Sequence, residues 1–139
     1  MADERPPNRV HVTWAGGQRF DAGRPGGPVA RIDGTGETGQ SPVDAVLSAL
    51  AACSTIDVVE ILAKRRTPVK ALEVDVTGTR FDGTPRRLTH IRLDFRITGE
   101  GIERVHAERA VELAVTKYCS VRDSLDKSIE IEWRIELEE

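Results

Sequence analysis

Hydrophobic and polar positions alternate along several stretches of the chain, and one long stretch breaks the alternation. Val10, Val12 and Trp14 lie between polar residues, as do Leu72, Val74 and Val76, then Ile91, Leu93, Phe95 and Ile97, and finally Ile129, Ile131, Trp133, Ile135 and Leu137. A period of two residues is that of a half-buried strand. Gly16-Gly17 turns the first strand toward a second over Gln18 to Ala22, and a third short strand is expected over Val29 to Asp33. The strand from Leu72 extends toward Phe81, and Asp82-Gly83-Thr84-Pro85 is a hairpin-like turn before the next.

Ser41 to Arg66 follows a different rule. Its apolar residues are too dense and too long for a strand, and its ends carry helix signals. Ser41 suits the cap, Pro42 the first helical position, and Asp44 three residues after the cap completes a capping-box-like start. Lys64, Arg65 and Arg66 bring positive charge to the C-terminus, and Pro68 stops the helix. Between Ala45 and Thr55 the side chains are unusually small, which allows a second helix to approach closely. A further helix is expected from Ile102 to about Lys117, with Val105, Ala110, Val111, Ala114 and Val115 mostly on one side, and a short one capped by Ser120 through Leu125. Strands, a buried helix, a hairpin, two helices and a last strand, without regular strand–helix alternation, define an α+β class.

Length and charge narrow the function. The 139 residues fit a polar leader over residues 1–9, with Pro6 and Pro7, followed by a single domain over 10–139. Aromatic residues make up only 4%, so aliphatic packing dominates, and such an apolar helix is suited to sharing its core with a second copy. The net charge of -3 comes from well-mixed acidic and basic residues, leaving no basic stripe for nucleic acid. No signal-peptide pattern is present, and the longest uncharged stretch, Ala45 to Ile56, is too short to span a bilayer, so a soluble cytoplasmic protein without membrane partners is expected.

The chemistry rests on two cysteines, Cys53 inside the long helix and Cys119 66 positions later. That separation is no secreted disulfide framework, so each is either a buried small hydrophobe or a reactive thiol. His11, His90 and His106 lie on scattered elements and offer neither metal-ligand spacing nor a nucleophile elbow.

Ser41-Pro42-Val43-Asp44, followed by Leu47, Ala49 and Leu50-Ala51-Ala52-Cys53, together with Tyr118-Cys119-Ser120-Val121, resembles the OsmC/Ohr family of bacterial peroxide-defence proteins. Gly16-Gly17-Gln18-Arg19-Phe20 resembles the opening motif of an OsmC-like branch. The resemblance implies an intertwined homodimer, with antiparallel sheets wrapped around long buried central helices. It also implies reduction of organic hydroperoxides: Cys53 attacks the peroxide, Cys119 resolves the sulfenic acid as a disulfide, and an external thiol reduces it. No haem, flavin, metal or other cofactor is implied. The alternative within the same family is a non-catalytic dimer that binds a small molecule.

Physical chemistry sharpens what such a site needs. Cys53 lies 12 residues after the cap, about 18 Å along the axis at the helical rise, beyond the reach of the helix start. Asp57, one turn on, disfavours a thiolate. An arginine must therefore approach, and the resemblance points to Arg19, whose other reading is a solvated turn residue. Where peroxidase branches place Glu to hold that arginine, this chain has Val43, and the nearest acid is Asp44. Asp44 is about 13 Å along the helix from its own Cys53, so an antiparallel partner helix would have to supply it, and the site would be shared between subunits. Otherwise Asp44 is simply a helix N-terminal acid.

Overall fold

The computed structural model describes residues 5–139, so the first four positions of the expected leader lie outside the described residues. The described chain divides into two compact units, one running to Val46 and the other from Leu47 to Glu139. Each is built by a short list of pairings.

In the first unit β1 (His11–Trp14), β2 (Arg19–Gly23) and β3 (Ala30–Asp33) form an antiparallel sheet in that order. The Gly16-Gly17 turn joins β1 to β2, with both glycines at positive φ, and Trp14 Nε1 donates to Gly17 O at 2.9 Å. Across β2 and β3, Asp21 faces Arg31 in register and accepts its Nε at 2.8 Å. Every β1 residue is exposed, so the alternation of Val12 and Trp14 does not mark burial within this chain.

β3 ends in a tightly tied loop. Asp33 is buried, and its carboxylate accepts the backbone N–H and hydroxyl of Thr35 at 2.9 and 2.8 Å and those of Thr38 at 3.0 and 2.7 Å. Those four donors, the Thr38 hydroxyl foremost, hold its pKa well below the usual carboxylate range despite partial desolvation. The loop then delivers the chain to α1 (Pro42–Lys64). The expected capping box is formed: Asp44 N donates to Ser41 Oγ at 3.1 Å and Ser41 N to Asp44 Oδ2 at 3.0 Å.

The second unit holds the main core. β4 (Ala71–Arg80) pairs antiparallel with β5 (Leu88–Thr98), and β6 (Glu130–Glu138) lies on the other side of β5. The expected antiparallel pairing holds for every strand pair but one: β6 runs parallel to β5. A parallel return needs a long crossover, and α2 (Arg104–Leu113), a π-helical turn (Ala114–Tyr118) and α3 (Ser120–Ser124) supply it. Val74, Phe95 and Ile135 are register partners on one face of the sheet. On the opposite face Arg96 of β5 bridges Glu73 of β4 at 3.1 Å and Glu136 of β6 at 3.3 Å.

α1 contributes a stripe at four-residue spacing, Leu50, Ser54, Val58 and Leu62, to the core that contains Ile91, Leu93, Phe95 and Ile97. Gly78 in β4 permits the close approach of the helix; a Cβ there would lie 3.0 Å from Leu47 Cδ1 and 2.9 Å from Leu88 Cδ2. The helix is long and apolar enough to cross a membrane by length and composition, yet this stripe makes it a core helix. Its other face is open: Ser48, Ala49, Ala52, Ile56 and Val59 are exposed in the single chain. The second helix also departs from its expected form. It starts at Arg104 and turns π-helical after Leu113, while Val105 faces water.

Candidate active site

The π-helical turn decides where the second thiol sits. A π turn accommodates an extra residue and changes the direction in which the next side chain points. Ala114 and Val115 stay in the core, Thr116 Oγ1 donates to Glu112 O at 2.6 Å, and at Cys119 the backbone opens to φ −74° and ψ 104° before α3 begins. Cys119 is thus the cap of α3, a role the sequence had suggested for Ser120. Its Sγ accepts the Arg122 N–H at 3.3 Å, and its carbonyl accepts the Asp123 N–H at 3.1 Å.

This turn lies against the middle of α1. Cys53 is half-buried there, Cys119 is buried, and both are free thiols. The Cys53 sulfur is 3.8 Å from the Ser120 hydroxyl, which follows Cys119 in the chain. Next to it on α1, the buried Ser54 hydroxyl donates to Leu50 O at 3.0 Å.

The environment drives the two thiols apart. Burial pushes Cys53 upward, but the Val121 amide, the Cys119 thiol and Ser120 outweigh it, and the net pKa falls below that of an ordinary thiol. Burial also pushes Cys119 upward, and its neighbour Cys53 adds to that, so Cys119 remains raised although the Arg122 amide opposes the shift. The surroundings thus favour ionisation at Cys53 more than at Cys119. That asymmetry suits nucleophilic attack by Cys53 and later use of Cys119.

Sequence reasoning had assigned this activation to an arginine, because the start of α1 is too distant. Within the single chain a donor comes from the start of α3, 67 positions from Cys53. Arg19 is placed on β2 in the first unit, exposed, its amide donating to Gly16 O at 2.9 Å. Asp44 is in the same unit with its carboxylate engaged by Ser41, the helix-acid role. Asp57 is not among the main influences on Cys53; it lines a groove of about 590 Å³ between α1 and α2, with Ile61, Lys64, Arg65, His106 and Tyr118. Arg65 and His106 meet across that groove at 2.6 Å, and His90 lies 3.6 Å from Glu132. Among the described residues no group of three or more His, Cys, Asp or Glu is placed to hold a metal ion. Ser120 and Val121 are the site residues that pattern reading missed; their only signal is adjacency to Cys119.

A paired-thiol site on an α+β frame can be compared with known proteins. The family model for OsmC-like protein matches residues 34–134. The chain belongs to the OsmC family. Protein YhfA of Escherichia coli strain K12 is 40% identical over 124 residues, spanning 88% of this chain and 92% of YhfA. An OsmC-like protein of Mycoplasma pneumoniae shares the OsmC fold with a TM-score of 0.82 at 17% identity, over 96% of this chain and 99% of its own. The organic hydroperoxide resistance protein OhrB of Bacillus subtilis aligns over 94% of this chain and 98% of its own, with a TM-score of 0.62 at 14% identity. These last two likenesses concern the fold.

Proposed function

We propose that this OsmC-family protein is a thiol-dependent peroxidase that reduces organic hydroperoxides through Cys53 and Cys119, in defence against oxidative stress. The observation that carries the reading is that two free thiols on separate elements are brought together, Cys53 on α1 and Cys119 at the start of α3, whose next residue Ser120 lies 3.8 Å from the Cys53 sulfur. In the first step the Cys53 thiolate attacks the terminal peroxide oxygen. An S–O bond forms, the O–O bond breaks, and the departing alkoxide takes a proton to leave as the alcohol. In the second step Cys119 attacks the resulting sulfenic sulfur, an S–S bond forms, the S–O bond breaks, and the oxygen leaves as water. An external dithiol then restores both thiols by exchange and is itself oxidised. No metal or organic cofactor takes part.

The working unit in this proposal is a cytoplasmic homodimer. The exposed face of α1 formed by Ala49, Ala52, Ile56 and Val59, and the exposed Val12 and Trp14 of β1, support association with a second copy, since large apolar side chains on two elements lack cover within one chain. In such a dimer Arg19 and Asp44 complete the site from across the interface, Arg19 as a cation near the peroxide and Asp44 as its anchor.

Consumption of an organic hydroperoxide in the presence of a dithiol tests the reading. Cys53→Ser should lower turnover by at least about a hundredfold, the scale of losing a nucleophile. Undiminished turnover in that variant would exclude the mechanism. A second reading, a non-catalytic small-molecule-binding protein, is favoured by the groove of about 590 Å³ between α1 and α2, a volume in the range of ligand sites. Inert thiols together with a small molecule retained through purification would support it.

A further inference from the structure

We infer that Ser120 is a catalytic residue of this site: its hydroxyl donates to the Cys53 sulfur and holds it as the attacking anion. The inference rests on the peroxidase reading for its purpose, but its chemistry concerns only the thiol.

The geometry supports a specific role. The Ser120 Oγ and Cys53 Sγ are 3.8 Å apart, within the range of a sulfur hydrogen bond. A neutral Cys53 could be donor or acceptor in that contact. Once ionised, the sulfur has no proton, so Ser120 must be the donor, and the bond becomes charge-assisted and stronger. The contact therefore favours the charged form over the neutral one, which is the condition for lowering a pKa. During the attack no bond to Ser120 is made or broken. The Cys53 proton goes to solvent before attack, and the hydroxyl keeps its own.

Ser120 is also well fixed for this task. It follows Cys119, whose sulfur and carbonyl accept the Arg122 and Asp123 amides, so the backbone at this point is tied on both sides. Its own carbonyl accepts the Ser124 hydroxyl at 2.8 Å. Among titratable groups, Cys119 acts on Cys53 from this turn, and Asp57 lies one helical turn further along α1. Cys53, on α1, is thus contacted by the segment that carries Cys119.

The pair Ser120→Thr and Ser120→Val isolates the hydroxyl, because the two replacements have nearly the same shape. The full-length reduced protein is treated with a thiol-alkylating agent across pH 5 to 10, and modification of Cys53 and Cys119 is quantified separately by peptide mass spectrometry. Ser120→Thr should keep the wild-type Cys53 profile. Ser120→Val should move it up by about one pH unit, a roughly tenfold fall in thiolate at pH below the transition. Coincident profiles for the two variants, shifted or not, would overturn the inference, since a hydroxyl would then make no difference. Hydroperoxide turnover measured alongside separates the two claims. A shifted profile in Ser120→Val with no turnover in the wild-type protein upholds the Ser120 contact and counts only against the peroxidase reading.

Discussion

Cys119 caps α3 with its sulfur, accepting the Arg122 N–H at 3.3 Å. A residue proposed to form a disulfide therefore also starts a helix. Ser is among the best capping residues and Ala among the poorest. Cys119→Ser should keep native stability, whereas Cys119→Ala should cost about 1 kcal/mol, read from urea unfolding; both variants should lose the ability to form an internal disulfide. Equal stability of the two would show that the cap contributes nothing.

The same bond predicts a response to oxidation. When Cys119 joins Cys53, its sulfur loses acceptor strength and turns toward α1, so the amide of Arg122 should exchange faster in the oxidised protein than in the reduced one. Hydrogen exchange before and after one equivalent of organic hydroperoxide measures this, and mass spectrometry of the same samples should find Cys53 linked to Cys119. Unchanged exchange at Arg122 with the disulfide fully formed would mean that α3 does not depend on its cap.

Asp33 predicts an acid response in the first unit. Its folded pKa is depressed by the Thr38 and Thr35 donors, so the stability it contributes is complete above its unfolded value of about 3.9 and is lost as pH falls through the folded value. Unfolding midpoints of wild-type protein and Asp33→Asn should differ most at neutral pH and converge below about pH 4. A gap that persists unchanged to pH 2 would contradict the carboxylate's role.

Phe95 is the largest fully buried side chain, 1% exposed between Val74 and Ile135. Phe95→Ala should destabilise the protein by about 3 to 5 kcal/mol, the usual range for emptying an aromatic core site. Chemical denaturation reads this directly. Arg96→Ala, which removes bridges to Glu73 and Glu136 among half-exposed groups, should cost less than about 1 kcal/mol.

Much of the molecule was legible before any fold was known. Strand positions emerged from two-residue alternation at Leu72 to Val76 and Ile91 to Ile97, and the start of α1 from Ser41, Pro42 and Asp44, since both signals act among neighbours in the chain. Burial was less legible. Val12 and Trp14 alternate like half-buried residues and Val105 lies on the apolar side of its helix, yet all three face solvent in the single chain, because alternation tells which residues share a face and not what covers it.

The sequence by itself determined the α+β class, the long capped helix and the presence of two cysteines in family positions, because periodicity and capping are local. Tertiary structure alone decided that β6 runs parallel to β5, that Cys119 and not Ser120 caps α3, and that Ser120 reaches Cys53. The reason is chain return. The crossover after β5 sets the direction of β6, and the π turn within it aims a segment 67 positions downstream at the middle of α1, an encounter that no spacing between neighbours encodes.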